Sequence, residues 1–236
     1  MTELAPKALL FDVQGTATDF HTTVRTAAAE IAGPDHAHVD WSAFVNDWRA
    51  AYFRETSAGR PAGTPWISVA SIYRATLDEA LAAVGVDLPA AQRDRLSDAW
   101  KHLDPWPDVV PALHRLRRRY LLATLSNADV DAVVSITRHG DLPWHAVFAA
   151  EMAGVFKPDP AAYHLANHYL GLPATDIMMV ASHKYDLHAA RALGFRTAFV
   201  LRPLEHGDPS LADLTLEPEF DLTVTDFADL ADHLGC

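Results

Sequence analysis

The sequence predicts an α/β fold: a doubly wound parallel sheet with helices on both faces and a helical segment inserted after the first strand. Three observations predict it. Short, continuously apolar runs recur along the chain, the pattern of strands covered on both faces. They alternate with helical stretches such as "DPAAYHLANHYLG" (159–171) and "YDLHAARALG" (185–194), each closed by a glycine, a common helix stop. From residue 20 to about 105 this alternation gives way to helical periodicity alone.

In chain order, "ALLFDV" (8–13) is the first strand. Two long helical patterns follow, "WSAFVNDWRAAYFRET" (41–56) and "VASIYRATLDEALAAVG" (69–85), and Pro-rich "DPWPDVVP" (104–111) closes the insertion. Further strands are expected at "YLLATLS" (120–126), "AVFAA" (146–150), "DIMMVA" (176–181), "RTAFVL" (196–201) and "DLTV" (221–224). The expected division is a core domain of residues 1–19 and 106–236 and a helical domain of 20–105 lying over it as a lid. The basic run "HRLRRRY" (114–120) reads as the solvated end of a helix.

At 236 residues the chain can bury a substantial core. A net charge of −12 argues against a nucleic-acid partner, because a phosphate backbone calls for clustered Lys and Arg. The single cysteine, Cys236, rules out a disulfide framework and a Cys-based metal site. No leader pattern opens the chain and no apolar run reaches the ~20 residues that span a bilayer, so a soluble cytoplasmic protein without a membrane partner is expected.

Open parallel sheets bind ligands beyond the carboxyl ends of their strands. Asp12 ends the first strand, Ser126 and Asn127 the second, Asp186 lies just past "IMMVA", and Lys157 precedes Pro158. Each of these four sites has a bland reading, as a helix cap or a solvated charge, but all of them at strand ends make a set. His164 and His168 stand four apart on one expected helix, yet no third ligand is in register, so no metal site is expected. The tryptophans gather in the helical insertion and its borders (Trp41, Trp48, Trp66, Trp100, Trp106) and read mainly as core.

"FDVQGT", "LSN", "FKPDP" and "SHKYD" resemble, in order and spacing, the four motifs of the haloacid dehalogenase superfamily, whose Rossmann-like core carries an inserted cap. That resemblance implies Asp12 as nucleophile, Thr16 and Ser126 steadying its carboxylate, Lys157 paired with it, and Asp186 as the fourth-motif acid. The match is closest to the (S)-2-haloacid dehalogenase branch. Trp48-Arg49 corresponds to the cap pair whose Arg faces the leaving halide, Tyr163 stands six residues after Lys157, and Asn127 matches the amide that helps cradle halide. His183 falls where the branch has Asn or His. Gln14 and Ala181 depart from it, replacing an aromatic or Asn and a Ser. The resemblance sets Val13, Gln14, Arg49, Ser126 and Asn127 against the substrate, and implies a homodimer, no cofactor and a small 2-haloacid as partner.

Gln14 matters chemically. A phosphatase of this superfamily needs an acid there to protonate the departing alkoxide, and oxygen ligands for Mg²⁺. An amide supplies no proton, and the last motif offers one acid, Asp186, beside the basic residues His183 and Lys184. Halide is a weak base and leaves unprotonated, so a site that displaces it can drop both the second acid and the metal. The expected reaction has Asp12 attack C2 of the haloacid, leaving an ester that water hydrolyses with Asp186 as base or orienting group and His183 as assistant. Alternatives are a same-branch hydrolase that opens a strained ring carboxylate such as azetidine-2-carboxylate, a phosphatase, and an inactive binding protein of the same fold.

Overall fold

The computed structural model describes residues 6–57 and 65–236, so the first five residues of the expected core segment lie outside the described residues. Strand β1 (Ala8–Phe11) is followed by β2 (Thr18–Asp19) and then by four helices, α1 (Phe20–Ala32), α2 (Trp41–Ser57), α3 (Val69–Ala83) and α4 (Ala90–Asp98). The chain returns through β3 (Asp104–Pro105), which pairs antiparallel with β2, so a two-stranded ribbon ties together both passages between sheet and helices. That ribbon was not expected: two residues per strand are too few to show a period.

The remaining elements are α5 (Val109–Leu116), β4 (Leu121–Thr124), α6 (Val130–His139), α7 (Ala150–Ala153), α8 (Pro160–Leu170), β5 (Ile177–Ala181), α9 (Lys184–Ala192), β6 (Arg196–Val200), β7 (Leu222–Val224) and α10 (Phe227–His233). The main sheet is fully parallel, in the order β4-β1-β5-β6-β7. Alternate residues of each strand supply opposite faces. Leu9, Phe11, Met178 and Val180 pack with α5, α6, α10 and the inserted helices; Ala8, Leu10, Ile177 and Met179 pack with α8 and α9. Both faces are covered, which is why the strands read as unbroken apolar runs.

The stretch 146–150 is not a strand. It meets β4 through an isolated bridge from Ala146 to Ala123, and the segment just past β4 through a second from Ala149 to Ser126. Between them the Thr124 hydroxyl takes the place of the backbone ladder, donating to the Phe148 carbonyl (2.9 Å) and accepting from its N–H (3.0 Å), and α7 begins at Ala150. The basic run leaves the end of α5 as expected, but Arg115 is tied to Asp232 and the Cys236 carbonyl, and Arg119 to the Leu234 and Gly235 carbonyls, pinning the C-terminus. No helix among the described residues is long and apolar enough to cross a membrane.

Candidate active site

The chain runs outward from β1 to β4 on one side and then crosses to β5 on the other, so the crevice of this sheet opens beyond β1 and β5. Asp12 follows β1 there. Its loop is held by Trp106, whose indole N–H donates to the Gly15 carbonyl (2.9 Å), and by Arg202, whose Nε donates to the Thr16 carbonyl (2.9 Å) while its two Nη atoms grip Asp108 (2.8 and 2.9 Å). The Val13 carbonyl accepts from the Ala17 and Thr18 N–H groups. The backbone N–H groups of Val13 and Gln14 have no backbone partner among the described residues.

Asp12 is buried and heavily bonded. Lys157 Nζ donates to Oδ1 (3.0 Å), while Thr16 Oγ1 (2.8 Å) and His183 Nδ1 (3.1 Å) donate to Oδ2. Burial alone would raise its pKa. The Lys157 charge, then His183, override that and hold the carboxyl well below the usual range, so it is an anion at neutral pH. Lys157 is also buried, and its Nζ donates to Asp186 Oδ2 as well. Burial pushes Asp186 up and the Asp12 charge adds to it, against the pull of Lys157. Of the two acids on Lys157, Asp186 is therefore the better proton acceptor. Tyr163 donates to its other oxygen (2.7 Å).

Arg49 is not lid surface. Its guanidinium is buried among the rings of Tyr52, Phe53, Phe20 and Trp100, 4.5 to 5.6 Å from their centroids. Nη1 donates to Gln14 Oε1 (2.6 Å) and to the Tyr73 hydroxyl, while Nε is buried without a partner among the described residues. Trp48 backs the cage, donating to the Tyr73 carbonyl (3.0 Å), and Trp100 stacks on Tyr73 at 4.0 Å. Two of the tryptophans thus wall the site. Gln14, two residues from the nucleophile, anchors the arginine of the inserted helices.

One expected contact is not made. Ser126 is buried beside the site, but among the described residues its hydroxyl has no hydrogen bond to Asp12. Asn127 is bonded to the Lys157 backbone: its Oδ1 accepts from the Lys157 N–H (2.7 Å) and its Nδ2 donates to the Lys157 carbonyl (3.0 Å). It sets the position of Lys157. Lys184 is no site cation either, because its Nζ binds Asp213 and Glu217. The cation of that loop is His183. Ala181 is buried at the end of β5, packed on the α8/α9 face. His164 and His168 are exposed on α8, outside any grouping of metal-binding side chains among the described residues.

Sequence reasoning missed Glu205, whose Oε1 accepts from His183 Nε2 (2.7 Å), and Tyr52 and Tyr73. Glu205 lies five residues past β6, just beyond the strand-end positions that disclosed the others. Tyr52 and Tyr73 have the spacing of ordinary helix core and gave no separate signal.

The wider likeness is consistent in kind. A sequence model of haloacid dehalogenase-like hydrolases matches residues 6–194. An (S)-2-haloacid dehalogenase of Pseudomonas sp. (strain YL) is 30% identical over 199 residues, 83% of this chain and 83% of its own. The (S)-2-haloacid dehalogenase H-109 of Pseudomonas putida is 30% identical over 208 residues, 83% of this chain and 86% of its own. A solved defluorinating L-2-haloacid dehalogenase superposes with a TM-score of 0.91 at 35% identity, over 98% of this chain and 96% of that one.

Proposed function

Because the chain belongs to the haloacid dehalogenase-like hydrolases, we propose that it is a 2-haloacid dehalogenase that works without a metal. Its reaction converts (S)-2-haloalkanoic acids to (R)-2-hydroxy acids through an ester on Asp12. The observation that carries this reading is the pairing at residue 14. A phosphatase would have a proton donor there; here the side chain is an amide whose oxygen already accepts from Arg49 at 2.6 Å. A divalent ion does not fit this donor set. Gln14 Oε1 faces a guanidinium, Asp186 Oδ2 faces Lys157, and Asp12 is met by Lys157 and His183.

Residues 20–105 are the cap of this enzyme, closed over the core by Arg49 on Gln14, Tyr52 on the Asn127 carbonyl (2.6 Å), and the N–H groups of Val69 and Ala70 on Asp129 (3.0 and 2.9 Å). Val13 and Gln14 offer backbone N–H groups to the substrate carboxylate, with the Ser126 hydroxyl beside them. An Asp12 lone pair attacks C2 from behind, the carbon–halogen bond breaks toward halide, and C2 inverts. The charge growing on halide is met by Arg49. Water then attacks the Asp12 carbonyl carbon and passes a proton to Asp186. The 2-hydroxy acid departs after its oxygen takes a proton through Lys157, and Asp12 regains its charge by losing one proton to solvent. The enzyme is a cytoplasmic homodimer on this reading, which light scattering checks.

The test is halide and phosphate release measured side by side over 2-haloacids, azetidine-2-carboxylate and phosphate monoesters, with and without EDTA. Halide release is expected to be unchanged by EDTA and by added Mg²⁺. Activity abolished by EDTA and restored by Mg²⁺, or phosphate release exceeding halide release, would sink the reading.

A further inference from the structure

His183, between β5 and α9, spans two acids: Nδ1 lies on Asp12 Oδ2 (3.1 Å) and Nε2 on Glu205 Oε1 (2.7 Å). The second acid is deliberately seated. Glu205 is buried; the φ of +92° at Gly15 favours glycine there, and a Cβ on it would stand 2.2 Å from Glu205 Oε1 and push that carboxylate off its present position. The loop that carries it is fastened by Arg202 on Asp108 and by Asn46, whose Nδ2 donates to the His206 carbonyl (3.0 Å). Nothing in the displacement of halide uses Glu205.

The two oxygens of Asp12 are not equivalent. Oδ1 meets Lys157 alone, whereas Oδ2 is met by both Thr16 Oγ1 and His183 Nδ1. Oδ1 has the freer lone pairs and attacks; Oδ2 becomes the carbonyl oxygen of the ester. We propose that His183 and Thr16 form the oxyanion site for hydrolysis of that ester, and that Glu205 is the positioning residue that keeps the His183 Nδ1–H on Oδ2. As water adds to the carbonyl carbon, the C=O electron pair moves onto Oδ2. Donors 2.8 and 3.1 Å away are at the distance that stabilises such charge. Collapse returns the pair to the carbonyl and expels the 2-hydroxy acid oxygen.

The charge on the ring follows from its neighbours. Burial would lower the His183 pKa; Glu205 and Asp12 overcome that and push it up to about 10. The ring also faces Tyr185 and Phe53, with Arg49 behind Phe53, His206 beside Glu205, and Lys157 and Asp186 beyond Asp12. Esterification removes the Asp12 charge, so Glu205 is then the one acid bonded to the ring and alone keeps its proton in place.

This assignment rests on the ester mechanism above, and rapid-quench kinetics with (S)-2-chloropropionate separate the two. In Glu205→Gln, halide is expected to appear in a burst of about one equivalent per site at near wild-type rate. Turnover then falls about 10²-fold, the usual cost of an oxyanion donor, and intact mass shows the ester on Asp12. His183→Ala behaves the same way. If Glu205→Gln fails to fold, wild type gives the same partition: ester hydrolysis slows as pH rises through the His183 ionisation while the halide burst does not. Burst and turnover falling together without ester, wild-type turnover in Glu205→Gln, or hydrolysis that does not slow with rising pH would each overturn the assignment and leave the dehalogenase reading intact. Wild type releasing no halide from any 2-haloacid would remove the reading and the assignment together.

Discussion

Asp12→Asn is expected to lower halide release by roughly 10⁴-fold or more, the scale seen when a covalent nucleophile is removed, while the protein stays folded. The amide has the shape of the acid but is a poor nucleophile. Folding survives because each cation on Asp12 has a second acid: Lys157 keeps Asp186, and His183 keeps Glu205. The six charges of the site, Asp12, Asp186 and Glu205 against Lys157, His183 and Arg49, all buried but the partly buried His183, balance in wild type and are left one positive in the variant. That excess lowers stability modestly but should bind anions more tightly. Circular dichroism, halide release and intact mass decide the matter. A folded variant that keeps wild-type halide release, with no deamidation by mass, excludes Asp12 as nucleophile. A wild-type single turnover in H₂¹⁸O should give unlabelled product, because the product oxygen comes from Asp12.

Arg49→Lys is expected to lose about 10²–10³-fold in kcat, the cost of one donor aimed at developing charge, with KM little changed. A lysine keeps the charge but cannot reproduce the planar fork that reaches Gln14 and Tyr73 together. Arg49→Ala should lose as much activity and also stability. It empties a cage of four aromatic rings and leaves the buried Tyr73 hydroxyl only its long contact to Gln14 Oε1 (3.5 Å). A loss of about 2 kcal/mol corresponds to a fall of roughly 4–8 °C in Tm for a chain of this size. The difference between the two variants in Tm, set against their similarity in kcat, separates packing from chemistry. If both kept kcat within about twofold of wild type, the guanidinium would be a structural strut and the halide contact would lie elsewhere.

Much of the fold is legible without coordinates because burial imposes a period. Strands β1, β5 and β6 are covered on both faces, so nearly every residue must be apolar and the run stands out; helices α2, α3, α8 and α9 carry an apolar stripe for the same reason. The ribbon of β2 and β3 and the edge segment 146–150 escaped that logic. The first is too short to have a period, and the second is apolar because it is buried, although a threonine hydroxyl rather than a ladder holds it.

The site divides along the same line. Asp12, Lys157 and Asp186 are visible in the sequence because they occur as a set, each one ordinary alone, and the order of the strands leaves them few places to go. Arg49 is visible only as half of a Trp-Arg pair, and its burial is not. Asn127 sits where it was expected, yet its partner is the Lys157 backbone, thirty residues on. Glu205 joins His183 because the loop after β6 folds back over Gly15. The sequence by itself determined which side chains gather at the strand ends, because hydrophobic periodicity is local. Which of them face one another was decided only by the tertiary structure, because the partner of a buried polar atom is set by distance in space, and residues distant in sequence reach it as readily as near ones.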